Sequence, residues 1–230
     1  MDMTGYGQFC PVSKAVEVLC QRWTPLILRE VLSGSSRFNE IRRGVPNCSP
    51  ALLTKRLRGL EDAGVVKRGA DGTTYHPTEA GYELLPLILG LGAWGQRWAR
   101  SDYGPDDLDP GLLLWNVRRY LAPGLDEVRV VVQLVFPSVP AKRRFYWVVV
   151  DTQEVDLCLT DPGHAVDVVI EANLRSLTQV WMGDAQFVDE VAAGRIALRG
   201  PAKLTRRIPG WFGHHPIMAS VERATSSLNR

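Results

Sequence analysis

The sequence predicts an α+β protein of two domains, and three observations lead to this fold class. Apolar residues recur with helical spacing through the first hundred residues. Short β-branched runs separated by turn residues dominate the second half. Residues 101–111, rich in Asp, Gly and Pro, separate the two patterns and are predicted to form a linker. The domains are therefore expected at residues 1–100 and 112–230, within the one or two cores that 230 residues can build.

Charge is distributed unevenly along the chain. Residues 1–100 carry 13 Lys and Arg against 9 Asp and Glu, a net charge of +4, whereas residues 101–230 carry 14 against 16, a net charge of −2. Residues 37–68 concentrate 8 basic and 3 acidic side chains, a net charge of +5. This asymmetry favours a surface in the first half that faces a polyanion.

The composition predicts an ordinary soluble protein, with 45% hydrophobic and 23% charged residues. The N-terminus lacks the pattern of a secretory signal, and the longest nearly apolar run, residues 84–94, is too short to span a membrane. Cys10, Cys20, Cys48 and Cys158 lie far apart without a CxxC pair, so we expect neither a zinc site nor a disulfide framework. A cytoplasmic protein without metal or cofactor is the resulting expectation.

Proline, threonine and glycine residues predict the boundaries of the first three helices. The first helix begins at Pro11 and carries an apolar stripe. Thr24 is predicted to cap the second helix, with Pro25 in the first turn and Gly34 at its end. The third helix is FNEIRR, within residues 37–43.

The fourth helix has the clearest signals. Ser49 is predicted as its N-cap and Pro50 as its first residue, so that the helix runs from about Pro50 to Ala63 and stops at Gly64. Leucines at positions 53, 57 and 60 share one core-facing stripe. The opposite face carries Ala51, Thr54, Lys55 and Arg58.

A β-hairpin and a long apolar helix follow. VVKR and TTYHP flank the turn residues GADG, 69–72, and predict the hairpin. Thr78 is predicted to cap a helix over residues 79–98, which Pro86 bends near its beginning.

Two short helices followed by a hairpin are typical of a winged helix-turn-helix domain, whose second helix enters the major groove of DNA. The side chains expected to contact DNA come from the third and fourth helices and the hairpin. They are Arg37, Ser49, Pro50, Ala51, Thr54, Lys55, Arg58, Lys67 and Arg68. The alternative is that these cations form an ordinary solvated surface.

Residues 10–98 resemble the HxlR family of bacterial regulators. The resemblance is carried by CPV (10–12), RWTPLIL (22–28), RFNEIRR (37–43), LTKRLRGLEDAGVVKR (53–68) and YHPTEAGYELLP (75–86), followed by the tryptophan of LGAW. It implies a DNA-binding transcriptional regulator, usually a repressor, that acts on double-stranded DNA.

A homodimer on a palindromic operator is expected, because one winged helix buries too little surface for tight and selective binding. The first helix and the tryptophan-bearing helix are the expected dimer surface, as the resemblance also implies. Its residues are Val12, Val16, Leu19, Leu84, Ile88, Leu91, Trp94 and Trp98. Alternatively, Trp94 and Trp98 pack against the second domain.

Cys10 lies in the CPV motif, where several HxlR members place a thiol that senses oxidants. A helix N-terminus nearby would favour a thiolate. The residue is thus a candidate redox sensor, and the alternative is a partly buried packing residue.

The second half resembles a sterol carrier protein-like domain, a β-sheet with helices on one side. The resemblance rests mainly on residues 179–204, QVWMGDAQFVDEVAAGRIALRGPAKL. It implies an apolar tunnel and therefore an apolar small-molecule ligand. Candidate wall residues are Trp115, Phe136, Trp147, Trp181, Phe187 and Trp211. They are alternatively core residues of a domain that only helps dimerisation.

Catalytic patterns are not found, so an enzyme is not expected. No nucleophile elbow, phosphate loop or HExxH pattern occurs, and adjacent His214 and His215 would point to opposite faces of an extended chain. The sequence predicts a DNA-binding regulator. Possible control by an apolar ligand is part of that prediction. The alternatives are a lipid carrier whose winged helix only dimerises, and a redox-sensing regulator that acts through Cys10.

Overall fold

Helices and a small hairpin precede a five-stranded sheet along the chain, which confirms the α+β fold class. The computed structural model of the protein describes residues 5–99, 103–121 and 129–212, so His214 and His215 lie outside the described residues. The chain divides into two units, Met1–Gly92 and Ala93–Arg230. None of the helices in the described ranges has the length and apolar character needed to cross a lipid bilayer.

The N-terminal part of the chain contains the elements predicted for a winged helix-turn-helix, and the last of them, α6, continues two residues beyond the first unit. They are α1 (Pro11–Leu19), α2 (Thr24–Leu32), α3 (Phe38–Gly44), α4 (Pro50–Asp62), β1 (Val66–Arg68), β2 (Tyr75–Pro77), α5 (Glu79–Glu83) and α6 (Leu85–Trp94). Strands β1 and β2 pair antiparallel, with Lys67 opposite His76. The hairpin therefore follows α4 directly, as the sequence predicts.

Two helix boundaries differ from the prediction. Thr24 does not cap α2: it is the first helical residue and is buried, and Trp23 precedes it with φ of 77°. The single helix predicted over residues 79–98 is divided, because Pro86 has no N–H to continue the helix from α5. After α6 a π-helical turn, Gly95–Ala99, continues the chain.

The core of the first unit joins α2, α3, α4 and the hairpin. Helix α4 supplies the three leucines of its predicted stripe, each at most 1% exposed. Ile27 and Leu28 of α2, Ile41 of α3 and Tyr75 of β2 complete this cluster with their neighbours. Burial of these side chains holds α4 with its other face toward solvent.

The second unit is a mixed sheet with helices. Its elements are α7 (Pro110–Arg118), β3 (Val130–Val135), β4 (Phe145–Val150), β5 (Val155–Cys158), β6 (Val168–Ala172), α8 (Leu174–Trp181), α9 (Phe187–Ala192), β7 (Ile196–Arg199) and α10 (Ala202–Thr205). The strand order is β5-β4-β3-β6-β7, and only the β3–β6 pair is parallel. Helix α7 includes Pro110 and Gly111 of the predicted linker, because Asp109 caps it by accepting from the N–H of Leu112 at 2.8 Å.

One face of this sheet forms the core with the helices. Tyr146, Val148 and Val150 of β4 belong to that core, whereas Trp147 between them lies on the opposite face. An ion pair between buried Glu190 and half-exposed Arg195 closes the α9–β7 connection: Glu190 accepts from Arg195 at 2.6 and 2.7 Å. This bond and the nearby Ser176 hydroxyl lower the pKa of Glu190 to about 2 against the desolvation that would raise it.

Candidate nucleic-acid interface

The N-terminus of α4 is organised by its cap. The Ser49 hydroxyl accepts from the N–H of Leu52 at 3.3 Å, and Pro50 occupies the first turn, where no N–H is needed. The Thr54 hydroxyl donates to the carbonyl of Pro50 at 3.0 Å. These contacts confirm the predicted start of the helix and fix the first turn for contact with a ligand.

The outer face of α4 carries free cations. Lys55 and Arg58 are exposed and have no ion-pair or hydrogen-bond partner among the described residues. Ala51 and Thr54 lie exposed on the same helix. Two unpaired cations and a short polar side chain on a rigid helix can contact phosphates and base edges without first breaking an internal bond.

The β1–β2 hairpin, which is the wing of the domain, carries two neighbouring cations, and only Arg68 of the two has partners among the described residues. Lys67 is exposed, whereas the Arg68 guanidinium donates to Glu61 at 2.8 Å and to the carbonyl of Gly72 at 3.0 Å. Arg68 also lies over the ring of Tyr75, 4.8 Å from its centroid. Arg68 thus ties the wing to α4, and Lys67 is the wing cation available to a phosphate.

Helix α3 adds cations that the motif analysis did not single out. Arg42 and Arg43 are exposed in its last turn, and the predicted Arg37 is exposed at its start. The Glu40 carboxylate accepts from the N–H groups of Ser36 and Arg37 at 2.9 and 3.0 Å, which fixes this start. The two consecutive arginines after Ile41 are the sequence signal by which these cations could have been found.

A buried carboxylate sets the packing of α2 on α3. Glu30 is fully buried and accepts from Arg29 at 2.9 Å, and Arg29 also donates to the carbonyl of Gly44 at 3.0 Å. The Ser35 hydroxyl lies 3.5 Å from the same carboxylate. This network positions the end of α3, from which the chain turns into α4, and no sequence motif indicated it.

The predicted dimer residues divide into two groups. Leu19, Leu84 and Ile88 pack against the core of the first unit. Val12, Leu91, Trp94 and Trp98 are exposed, the two tryptophans by 60% and 69% of their surface, and Val16 is half-buried. Helix α6 has no buried residue at all. Leu91 and Trp94 on α6 are exposed apolar side chains of the kind that protein contacts cover.

The candidate ligand residues are mostly core residues of the second unit. Trp115, Phe136, Trp181 and Phe187 belong to its buried cluster, and Trp147 lies on the other face of the sheet. Trp211 lines a cavity of about 10 Å³ together with Leu204 and Ile208. That volume matches a single water molecule.

Cys10 is half-buried immediately before α1, and its carbonyl accepts from the N–H of Lys14 at 3.2 Å. All four cysteines are free thiols, of which Cys20 is exposed. No group of three or more His, Cys, Asp or Glu side chains that could hold a metal ion occurs in the part of the chain that the structure describes.

Comparison with known proteins identifies the first unit. Residues 18–103 match the family described as HxlR-like helix-turn-helix. A relative from Bacillus subtilis (strain 168), the "uncharacterized HTH-type transcriptional regulator YvaP", is 39% identical over 98 residues, which cover 40% of this chain and 91% of the relative. The chain belongs to the HxlR family. The resemblance carried by the five motifs is thereby confirmed.

Two solved structures are similar to parts of this HxlR-family chain. Quinone-bound YodB from B. subtilis is 32% identical, covers 39% of this chain and 99% of its own, and has a TM-score of 0.36. The ubiquinone synthesis protein UbiJ-SCP2 is 13% identical, covers 55% of this chain and 93% of its own, and has a TM-score of 0.30. The name of the second structure includes SCP2.

Proposed function

We propose that this protein is a sequence-specific DNA-binding transcriptional regulator whose helix α4 enters the major groove. The observation that carries the proposal is the pair Lys55 and Arg58, which are exposed and have no partner among the residues that the structure describes, on a helix whose opposite face is buried in the core. Family membership supports it, because the relatives are named as HTH-type transcriptional regulators. As the family resemblance implies, repression is the proposed direction of control.

The regulator acts as a homodimer on a palindromic operator. One winged helix contacts a short stretch of duplex, and a two-fold pair doubles the contacts at a fixed spacing of about one helical turn. Support comes from the exposed apolar residues Leu91, Trp94 and Trp98, since solvent exposure of such a surface is unfavourable.

Control by an apolar ligand in the C-terminal unit is part of this proposal, and a regulator that senses oxidants through Cys10 is the alternative. A ligand changes the affinity of the dimer for DNA only if it binds more tightly to a dimer with one spacing of its two α4 helices than to a dimer with another spacing. The cavity at Trp211, at about 10 Å³, is too small for a lipid, so this cavity is not the proposed ligand site. The rival function is a lipid carrier whose winged helix only dimerises.

Salt-dependent binding of the full chain to a DNA fragment from upstream of its own gene distinguishes the DNA-binding regulator from the lipid carrier. The regulator binds the fragment with an affinity that falls steeply as salt rises, because each neutralised phosphate releases counterions. A control fragment of equal length and shuffled sequence binds more weakly. Extraction of lipid from vesicles with no shift of the DNA fragment would favour the carrier instead.

A further inference from the structure

A groove of about 670 Å³ opens in the first unit, between the segment before α1, helices α1 and α2, and the rear of α4. This volume falls in the range of sites that hold small molecules. Its apolar lining includes Val16, which is also a predicted dimer residue, together with Val18 and Leu60, and Leu60 is fully buried beneath it. From α4 the groove is lined by Arg56, Gly59 and Leu60 and not by Lys55 or Arg58, so it flanks the DNA surface proposed above without including those two cations.

The charged groups at the groove sum to one positive charge. Lys14 and Glu17 form an ion pair at 3.2 Å, and Glu17 also accepts from the N–H of Tyr6 at 2.8 Å. The bond from Tyr6 is the largest cause of the lowered pKa of Glu17, so this carboxylate is ionised and already engaged at neutral pH. Arg56 is therefore the groove cation that forms no ion pair with a carboxylate among the described residues.

Arg56 is held in place by neutral groups. Its Nε donates to the carbonyl of Arg22 at 2.9 Å, and its Nη1 donates to Oε1 of Gln21 at 2.6 Å. The remaining Nη2 has no hydrogen-bond partner in the described ranges. A half-buried guanidinium that is preorganised but lacks a counter-ion is suited to a carboxylate, which pairs with arginine through charge-assisted hydrogen bonds.

The geometry points to a binding site for a small aromatic or otherwise apolar monocarboxylate in this groove. The carboxylate contacts Arg56, and the apolar body packs over Leu60 and beside the exposed ring of Tyr6. Because Arg56 belongs to α4 and bonds the α1–α2 connection, occupancy acts on the helix that carries the DNA-facing cations. The site itself does not depend on the proposed DNA-binding function.

The test uses benzoate as the probe and benzamide as its uncharged counterpart, each titrated into the full chain by calorimetry. We expect saturable benzoate binding with a dissociation constant on the order of 1 mM, and benzamide weaker by about tenfold or more. Arg56→Gln abolishes benzoate binding, whereas Arg22→Gln, which removes a neighbouring charge outside the groove, retains it. Circular dichroism of both variants checks that they fold.

A second readout needs no variant. Cys20 lines the groove and is exposed, so saturating benzoate slows its alkylation by iodoacetamide, whereas Cys158 in the second unit reacts at an unchanged rate. Equal binding of benzamide and benzoate, or unchanged alkylation of Cys20 at saturation, would overturn the site. Protection of Cys20 that grows with protein concentration, together with no benzoate binding, would show that a second copy fills the groove and would overturn it as well.

Discussion

Gly44 lies directly against the carboxylate of Glu30, so closely that a Cβ added to Gly44 would overlap Oε2. Glu30 cannot retreat, because it is fully buried and paired with Arg29. The absence of a side chain at position 44 is therefore a condition for the α2–α3 packing that leads the chain into α4.

Gly44→Ala is expected to lower the free energy of unfolding by about 2 kcal/mol, through overpacking against a buried ion pair. Gly59→Ala is the matched control: position 59 lies inside α4 with open space around the added Cβ. Alanine there gains up to about 1 kcal/mol of helix propensity. Urea unfolding of both variants measures the difference, and equal stabilities would show that Gly44 is not constrained.

Arg58→Ala is expected to weaken binding to the operator by about tenfold and to reduce the slope of log affinity against log salt by about one. The reason is that Arg58 has no ion-pair or hydrogen-bond partner in the described ranges, so no internal bond has to break when it contacts DNA. Lys142→Ala, which removes an exposed cation of the second unit, is the control. Fluorescence anisotropy with a labelled duplex measures both, and loss of affinity in the control alone would refute the assignment.

Lys67 and Arg68 are expected to behave differently although they are neighbours. Lys67→Ala reduces the salt dependence of DNA binding, because its charge is free. Arg68→Ala chiefly lowers stability, since it removes the bonds to Glu61 and Gly72 that hold the wing on α4. Thermal unfolding and anisotropy on the same samples separate the effects. The reverse pattern would mean that Arg68 leaves Glu61 to contact DNA.

Leu91→Glu is expected to dissociate the dimer, because it places a charge in the exposed apolar surface of α6. Val188→Glu is its control, as Val188 is exposed to a similar degree, 63% against 60%, but lies on α9. Sedimentation velocity of the full chain reads out the mass. A Leu91→Glu protein that keeps the wild-type mass would exclude α6 from the interface.

The Glu190–Arg195 pair predicts a loss of stability in acid. The folded pKa of Glu190, about 2, lies below the ordinary value of 4.5, so its contribution is fully present above pH 4.5 and is lost as the pH falls toward 2. Glu190→Gln should remove on the order of 1 to 2 kcal/mol at pH 7, less than for a fully buried pair because Arg195 is half exposed. It should also flatten the pH dependence of unfolding measured between pH 5 and 2.

Local signals predicted most of the first unit. Ser49 and Pro50 fix the start of α4 through bonds within one turn, and the leucine stripe fixes its buried face. Thr24 was misassigned because Thr followed by Pro fits a cap, whereas packing buries Thr24 and leaves the preceding Trp23 in the left-handed region. That choice depends on contacts between helices, which the local sequence does not contain.

Long-range contacts account for the rest. The sequence pattern did not predict helix α7, because its buried residues lie on several sides of the helix and leave little amphipathic periodicity to detect. Leu113, Leu114 and Trp115 are among these residues. The engagement of Arg68 by Glu61 depends on where the hairpin folds back, and the contacts of Arg56 with Arg22 and Gln21 join positions more than thirty residues apart. Each of these requires the tertiary structure.

Selection of bound duplexes from a random library by the full chain tests the central claim most directly. Recognition by two α4 helices predicts enrichment of an inverted repeat, with half-site centres about one helical turn, roughly 10 base pairs, apart. It also predicts that Lys55→Ala or Arg58→Ala selects the repeat with relaxed preference. Enrichment of no sequence, or of the same sequence by both variants with unchanged affinity, would contradict the placement of α4 in the major groove.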